Sequence, residues 1–380
     1  MGVPHFLAKA CRWPTFLGSI ILLYWSVAFI AISGHLKWWR LRGRRNDVLA
    51  WSEGMKWWVR CRVLKVGTTD LYRQPCVYLF NHRSWGDFIV DQYVTEGRSL
   101  FMSRLAVLSV FPTFIYSLVI LKSIILFKRG SIANKERFNA WIDKQRAGSP
   151  QTGLAVYPEC PRYNRVQVFC PPTSLQQGHR STLGESLPLK RGMLHYAYSR
   201  KLPVQIVIGA NKEAIIAEKR CTARLGQTAL VGYSEPIITA DFPDFESFWA
   251  KVQEAWDAQW QAVFGAEWDG LPELEVQEPV TYYPLSITLP MLGMTWLNLG
   301  LFAYTCLLTF RAARWVFALF GPAQPLALAA AAAYLALSFR LYSQPVNALA
   351  AMRTQRGHPG KLAQSEANLA ALDGSVRKDS

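Results

Sequence analysis

An asparagine and a histidine stand together at positions 81 and 82, and an aspartate occupies position 87. An imidazole oriented by a carboxylate is a general base able to take a proton from a hydroxyl. A five-residue step does not put two side chains on one face of a regular helix, where neighbours are three or four apart. His82 and Asp87 therefore work together only if His82 sits in a turn and Asp87 lies just inside the next helix. Upstream, Val77-Tyr-Leu-Phe80 reads as a buried strand, and α/β enzymes collect their chemistry at the ends of such strands. Alone, His-x4-Asp is weak and a structural histidine fits it better; its weight comes from the polar clusters further along the chain.

Strands are predicted over 61–66, 76–80, 124–127, 154–157, 204–208 and 228–233, from short apolar runs bounded by turn residues. Helices are predicted over 46–60, from about 134, and over 245–264. The stretch 103–127 is apolar but interrupted by Arg104, Pro112 and Lys122. It reads as a buried or membrane-dipping helix up to about Lys122, then a short strand. Polar clusters come after three predicted strands: Asn81-His82 with Asp87, Lys128-Arg129-Gly130, and Pro158-Glu159. A fourth, Leu-Pro-Leu-Lys190-Arg191-Gly192, precedes the strand at 204. Two basic turns with glycine beside a His/Asp pair suit a phosphate pocket. Arginine grips phosphate as a planar fork, and glycine lets backbone N–H groups approach the oxygens.

The chain of 380 residues is long enough for a large core. Lys and Arg outnumber Asp and Glu by 42 to 26, a net charge of +16, which implies an anionic partner. Fifteen Trp and fifteen Tyr, many beside apolar or basic segments, favour a membrane surface. No zinc-finger, recognition-helix or RNA-binding signature points to nucleic acid. The seven cysteines show no Cys-x-x-Cys pair and no zinc spacing, so no metal is expected.

Residues 14–34 form an uncharged run of 21, enough to cross a bilayer core of about 30 Å. The basic flank from His35 to Arg45, with Trp38 and Trp39, puts residue 35 onward in the cytosol by the positive-inside rule. Two further apolar runs, 289–310 and 315–339, read as a transmembrane pair joined at Arg311-Ala-Ala-Arg314. The expected organisation is a membrane anchor and basic flank (1–45), a catalytic domain (46–283), a transmembrane hairpin (284–342) and a polar tail (343–380).

The order of blocks resembles the glycerolipid acyltransferases, most closely the 1-acylglycerol-3-phosphate acyltransferases. Asn81-His82-x4-Asp87 matches the first block, and Ile124 to Gly130, an apolar strand running into Arg129, looks like the second. Tyr157-Pro158-Glu159 begins the third, and Leu202-Pro203-Val-Gln-Ile-Val resembles the fourth. The resemblance covers roughly residues 75 to 235. It implies a mixed central sheet flanked by helices (α/β), with an N-terminal transmembrane helix and a C-terminal pair.

The third block departs from the family. Cys160-Pro161-Arg162 comes after Glu159, where Gly-Thr-Arg is the pattern, yet Gly178-His179-Arg180-Ser181 appears downstream. One reading is an 18-residue insertion, 160–177, with a retained intron as one source. The other gives the arginine's part to Arg162. On the first, adopted here, the resemblance implies catalysis by His82 and Asp87. Asn81, Arg129, Gly130, Glu159, Gly178 and Arg180 would form the substrate site. Lys190 and Arg191 either face the phosphates of CoA or are surface charge.

The implied reaction passes an acyl group from acyl-CoA, a co-substrate, to the free hydroxyl of lysophosphatidic acid, with no cofactor. Alternatives are another lysophospholipid such as lysophosphatidylinositol, glycerol-3-phosphate, a CoA-independent transacylase, or a non-catalytic scaffold binding anionic lipid. The implied location is the endoplasmic reticulum membrane, with the catalytic domain facing the cytosol.

Overall fold

The computed structural model describes residues 5–36, 46–128, 134–158, 186, 188–277 and 289–345. The chain enters as α1 (His5–Leu36), followed by α2 (Asp47–Trp58), whose first N–H groups are capped by the Asn46 side chain. Then come β1 (Arg62–Val66), β2 (Val77–Phe80), α3 (Asp87–Val94) and β3 (Ser99–Arg104). Short helices α4 (Val107–Val110) and α5 (Ile115–Val119) flank a 3-10 turn at Pro112–Phe114 and lead into β4 (Ile124–Phe127). After α6 (Lys135–Ala147), β5 (Gly153–Val156), α7 (Arg191–Ser199) and β6 (Val204–Ala210) comes α8 (Lys212–Ile215). A small ribbon, β7 (Ile216–Ala217) with β8 (Thr222–Ala223), precedes β9 (Thr228–Tyr233) and α9 (Phe245–Gly265).

Among the described residues seven strands form one mixed sheet, in the order β1-β9-β6-β2-β5-β3-β4. Strands β6, β2, β5, β3 and β4 run parallel, and β9 is antiparallel to β6. β2 is central, with β5 on one side and β6 on the other. The chain thus changes winding direction beside β2, the place where open α/β sheets make a crevice beyond their carboxyl ends. Both faces of the sheet are covered. Tyr78 and Phe80 point into the core shared with α1, α2 and α3, while Val77 and Leu79 point into the core under α7 and α9. On α9, Phe248, Val252, Trp256 and Trp260 recur every four residues and are all fully buried. Their stripe seals the second face.

The strand expected at 124–127 is β4, but the stretch from 103 to about 122 is not the single helix expected there. Ser103 and Arg104 close β3, Pro112 opens the 3-10 turn, and Lys122 takes a left-handed φ of 50° before β4. Each breaks the helical ladder, and the apolar run gives no period to separate a buried strand from a buried helix.

Among the described residues three helices are long and apolar enough to cross a membrane, over 10–30, 292–318 and 321–342. α10 (Leu289–Ala318) runs straight through Arg311-Ala-Ala-Arg314. The expected turn there is corrected: arginine and alanine are good helix formers, and the break comes at Gly321, φ 49°, with Pro322. α11 (Gln324–Tyr342) comes next, with Pro325 in its first turn, where proline costs no hydrogen bond. α10 and α11 leave most of their apolar surface uncovered, including Leu297, Phe310, Trp315 and Leu326. α1 is held at its middle and near its start. Leu23, Val27 and Ala28 are buried against the domain, and Trp51 Nε1 donates to Ser26 Oγ at 2.8 Å. Near its start, Ala10 and Cys11 carbonyls accept from Tyr334 and Ser338 of α11.

Candidate active site

His82 lies in the loop that leaves β2, and Asp87 is the first residue of α3. The five-residue step is spanned as its spacing requires. His82 Nδ1 and Asp87 Oδ2 are 2.5 Å apart. The same oxygen accepts the backbone N–H groups of Arg83 at 2.7 Å and Ser84 at 3.1 Å. An ionised carboxylate can only accept, so Nδ1 is the donor and Nε2 keeps its lone pair. The Asp87 side chain is 1% exposed and that of His82 is 21% exposed, so the base faces outward over a buried orienting acid. The Tyr157 ring lies 4.6 Å from the imidazole, centroid to centroid.

The loop 81–86 is held to the end of β6. Asn81 is fully buried, and its amide donates to the Gly209 carbonyl and accepts from the Gly209 N–H, both at 2.8 Å. This extends the β2–β6 pairing one step beyond Phe80↔Val207. Asn81, expected to touch substrate, is thus engaged at both ends of its amide by backbone. Ser84 Oγ donates to the Lys212 carbonyl at 3.3 Å and accepts from Gly86 N–H at 3.1 Å. The Arg83 guanidinium pairs with Glu213 and lies over the Phe264 ring at 5.4 Å.

Sequence reasoning missed Asp91 and Lys212. Lys212 is fully buried, and its Nζ lies 2.9 and 3.0 Å from the two Asp91 oxygens, 3.3 Å from Asp87 Oδ1 and 2.9 Å from the Asn81 carbonyl. Tyr157 Oη donates to Asp91 Oδ2 at 2.9 Å. Burial pushes the Asp87 carboxyl up, but the Lys212 ammonium, the His82 ring and the Arg83 N–H together hold it down at about 2. Burial raises Asp91, Lys212 pulls it back, and the Asp87 charge raises it again, to about 7. Burial also opposes the charge on Lys212, yet the two carboxylates keep its pKa raised. Of the two acids, Asp87 holds its charge the more firmly, because it accepts two backbone N–H groups as well as the ring. Both missed residues left a signal: Asp91 is four residues from Asp87 on one helix face, and Lys212 is the charge just past the uninterrupted β6 run.

The other expected site residues divide. Arg129, Gly130, Glu159, Gly178 and Arg180, with Arg162 and the 160–177 segment, lie outside the described residues. Lys190 is buried at the start of α7, its N–H donating to the Pro158 carbonyl at 2.7 Å. Arg191 forks Glu246 at 2.7 and 2.9 Å and stacks over Trp249 at 4.5 Å. His195 stacks on Phe245. No cluster of metal-ligating side chains occurs among the described residues. A cavity of about 980 Å³ opens between α2, the start of β1 and the end of α11; its walls include Lys56, Trp57, Arg60, Arg62 and Arg340, but not His82.

The seven-stranded mixed sheet with helices on both faces is the fold that the sequence resemblance implied. In particular, the fold is similar to the crystal structure of the 1-acyl-sn-glycerophosphate (LPA) acyltransferase PlsC from Thermotoga maritima. The TM-score is 0.51 at 15% identity, covering 69% of this chain and 99% of that one. No family model matches the chain, and no curated protein matches its sequence.

Proposed function

We propose that the protein is a membrane-bound acyltransferase that passes an acyl group from acyl-CoA to the free hydroxyl of lysophosphatidic acid, giving phosphatidic acid. The observation that carries this reading is the His82–Asp87 pair, 2.5 Å apart at the carboxyl end of the central parallel strand. His82 Nε2 takes the proton of the lipid hydroxyl as its oxygen attacks the thioester carbonyl. The tetrahedral intermediate collapses with cleavage of the C–S bond. The departing CoA thiolate takes its proton from the His82 imidazolium, which returns the base to its starting form. Asp87 fixes the imidazole tautomer and stabilises the transient imidazolium, the part the acid plays in a Ser-His-Asp triad. Here the substrate's own hydroxyl is the nucleophile.

Arg129, Gly130, Glu159, Gly178 and Arg180 are proposed to shape the phosphate pocket. Arginines would meet the phosphate, while Glu159, an acceptor, would orient an arginine or the glycerol hydroxyl. Lys190, which is buried, is proposed for the CoA phosphates rather than as surface charge; for Arg191, already forked on Glu246, surface charge is the reading the contacts support. The three apolar helices support a reaction at a bilayer, where lysolipid and product already reside and holding the site there orients the reactants. The proposed location is the endoplasmic reticulum, with the site facing the cytosol.

The test is an assay of the purified protein in detergent with acyl-CoA and a panel of acceptors: lysophosphatidic acid, lysophosphatidylinositol and glycerol-3-phosphate. Acyl-CoA-dependent formation of phosphatidic acid, with release of free CoA, is the expected result. Faster transfer to another acceptor would replace the lysophosphatidate assignment. Product formed without acyl-CoA would make the protein a transacylase, and no CoA release with any acceptor would overturn the reading.

A further inference from the structure

Lys212 is costly to explain as packing. An ammonium removed from water is tolerated only where fixed negative charge and hydrogen bonds replace its hydration. Lys212 has both, and Gly209 makes the room: a Cβ there would lie 2.9 Å from Lys212 Cδ and 3.0 Å from its Cε. The head reaches Asp87 and Asp91 on α3 and the Asn81 carbonyl at the end of β2. The two Asp87 oxygens divide their partners. Oδ2 is taken by His82 and two backbone N–H groups, whereas Oδ1 accepts no hydrogen bond among the described residues and lies 3.3 Å from the ammonium.

We infer that Lys212 is a positioning residue for the His82–Asp87 pair: its ammonium keeps Asp87 ionised and turned toward the imidazole, and thereby sets the pH at which His82 is free to act as a base. The inference rests on the acyltransferase reading for its kinetic meaning, but its geometry does not. Other charged or titratable groups face the loop. Asp91 and Tyr157 stand behind Lys212, the Arg83 guanidinium is neutralised by Glu213, and a Glu218 oxygen accepts the Trp85 N–H at 3.2 Å. Of the charges that meet Asp87, Lys212 is the one cation with direct contact among the described residues. Removing it leaves the imidazolium facing uncompensated negative charge, which favours the protonated ring. Removing Asp91 instead frees the ammonium for Asp87 and does not favour it.

The two changes therefore separate by sign, which loss of structure alone would not do. The rate of diethyl pyrocarbonate modification at His82, read by mass spectrometry of its peptide across pH, reports the imidazole midpoint without any need for turnover. Lys212→Met is expected to raise that midpoint by about one unit, and to move the acid limb of the kcat profile upward with it. Asp91→Asn is expected to lower the midpoint or leave it in place. If Lys212→Met fails to fold, the charge-balanced Lys212→Met/Asp91→Asn variant carries the test. It too should raise the midpoint, because the ammonium is the charge in direct contact with Asp87. An unmoved or lowered midpoint in the Met variant, or in the double variant where that stands in for it, overturns the inference, as does an upward shift in Asp91→Asn. Acyl transfer is measured in parallel. Absence of transfer in the wild type with the midpoint shifts intact refutes the function and not the role of Lys212. Transfer in the wild type with an insensitive midpoint refutes the role of Lys212 alone.

Discussion

At the scale of residues, the proposed chemistry turns on how little freedom Asp87 has. It is fixed by the ring it orients, by two backbone N–H groups and by a buried ammonium. Asp87→Asn keeps the shape but removes the charge and permits the wrong imidazole tautomer. It should lower kcat by ~10²–10⁴-fold with a small change in KM, as steady-state kinetics would show. The two acids of α3 also act oppositely on stability. Asp87, held at about 2, contributes stability that is present above its unfolded pKa of about 4 and lost as pH falls through 2. Asp91, raised to about 7, keeps a proton in the folded state that the unfolded chain has released above about 4. Its contribution therefore declines as pH rises from about 4 to 7. Asp91→Asn should flatten that decline in thermal unfolding midpoints taken across this range; an unchanged slope would contradict it. His82 and Asp87 were legible because the pair stands at a strand end and further polar clusters come after it in order along the chain. Asp91 and Lys212 were not, because a single acid or lysine becomes informative only when the sheet brings its strand end alongside another.

At the scale of elements, the site exists because the 81–86 loop lies close against the residues just past β6. Gly86 is the point of closest approach: a Cβ there would stand 2.4 Å from the Lys212 carbonyl oxygen, a backbone atom that cannot yield. Gly86→Ala should cost about 1–3 kcal/mol and most of the activity. Gly54→Ala, within α2 and with nothing inside 4 Å of the added atom, should be neutral or stabilise by up to about 1 kcal/mol. Denaturant titration of the two variants tests the contrast. The strands that end in polar clusters were readable because turn residues punctuate them. β3 was missed because Ser99 to Met102 are buried on both faces, which erases the alternation that marks a strand. The α10–α11 turn was placed by charge at Arg311 and Arg314, when backbone chemistry at Gly321 and Pro322 decides it.

At the scale of the whole molecule, α1 joins α10 and α11 to the domain. Its middle packs on α2, its start is bonded to α11, and Trp25 and Phe29 meet Phe302 of α10 edge-on. With the exposed apolar flanks of α10 and α11, this predicts a protein that stays in the membrane fraction after alkaline carbonate extraction. Release into the supernatant would contradict it. The excess of positive charge, +16, suits a surface of anionic lipids and phosphorylated substrates. The central claim is narrower: one imidazole, turned outward by a buried acid, removes the proton from a lipid hydroxyl. The most direct measurement is acyl transfer from labelled acyl-CoA to lysophosphatidic acid by wild type and His82→Ala, reconstituted at equal amounts in the same vesicles. The expected result is phosphatidic acid from the wild type and a loss of ~10²-fold or more in the variant. Equal turnover by the two proteins would contradict it.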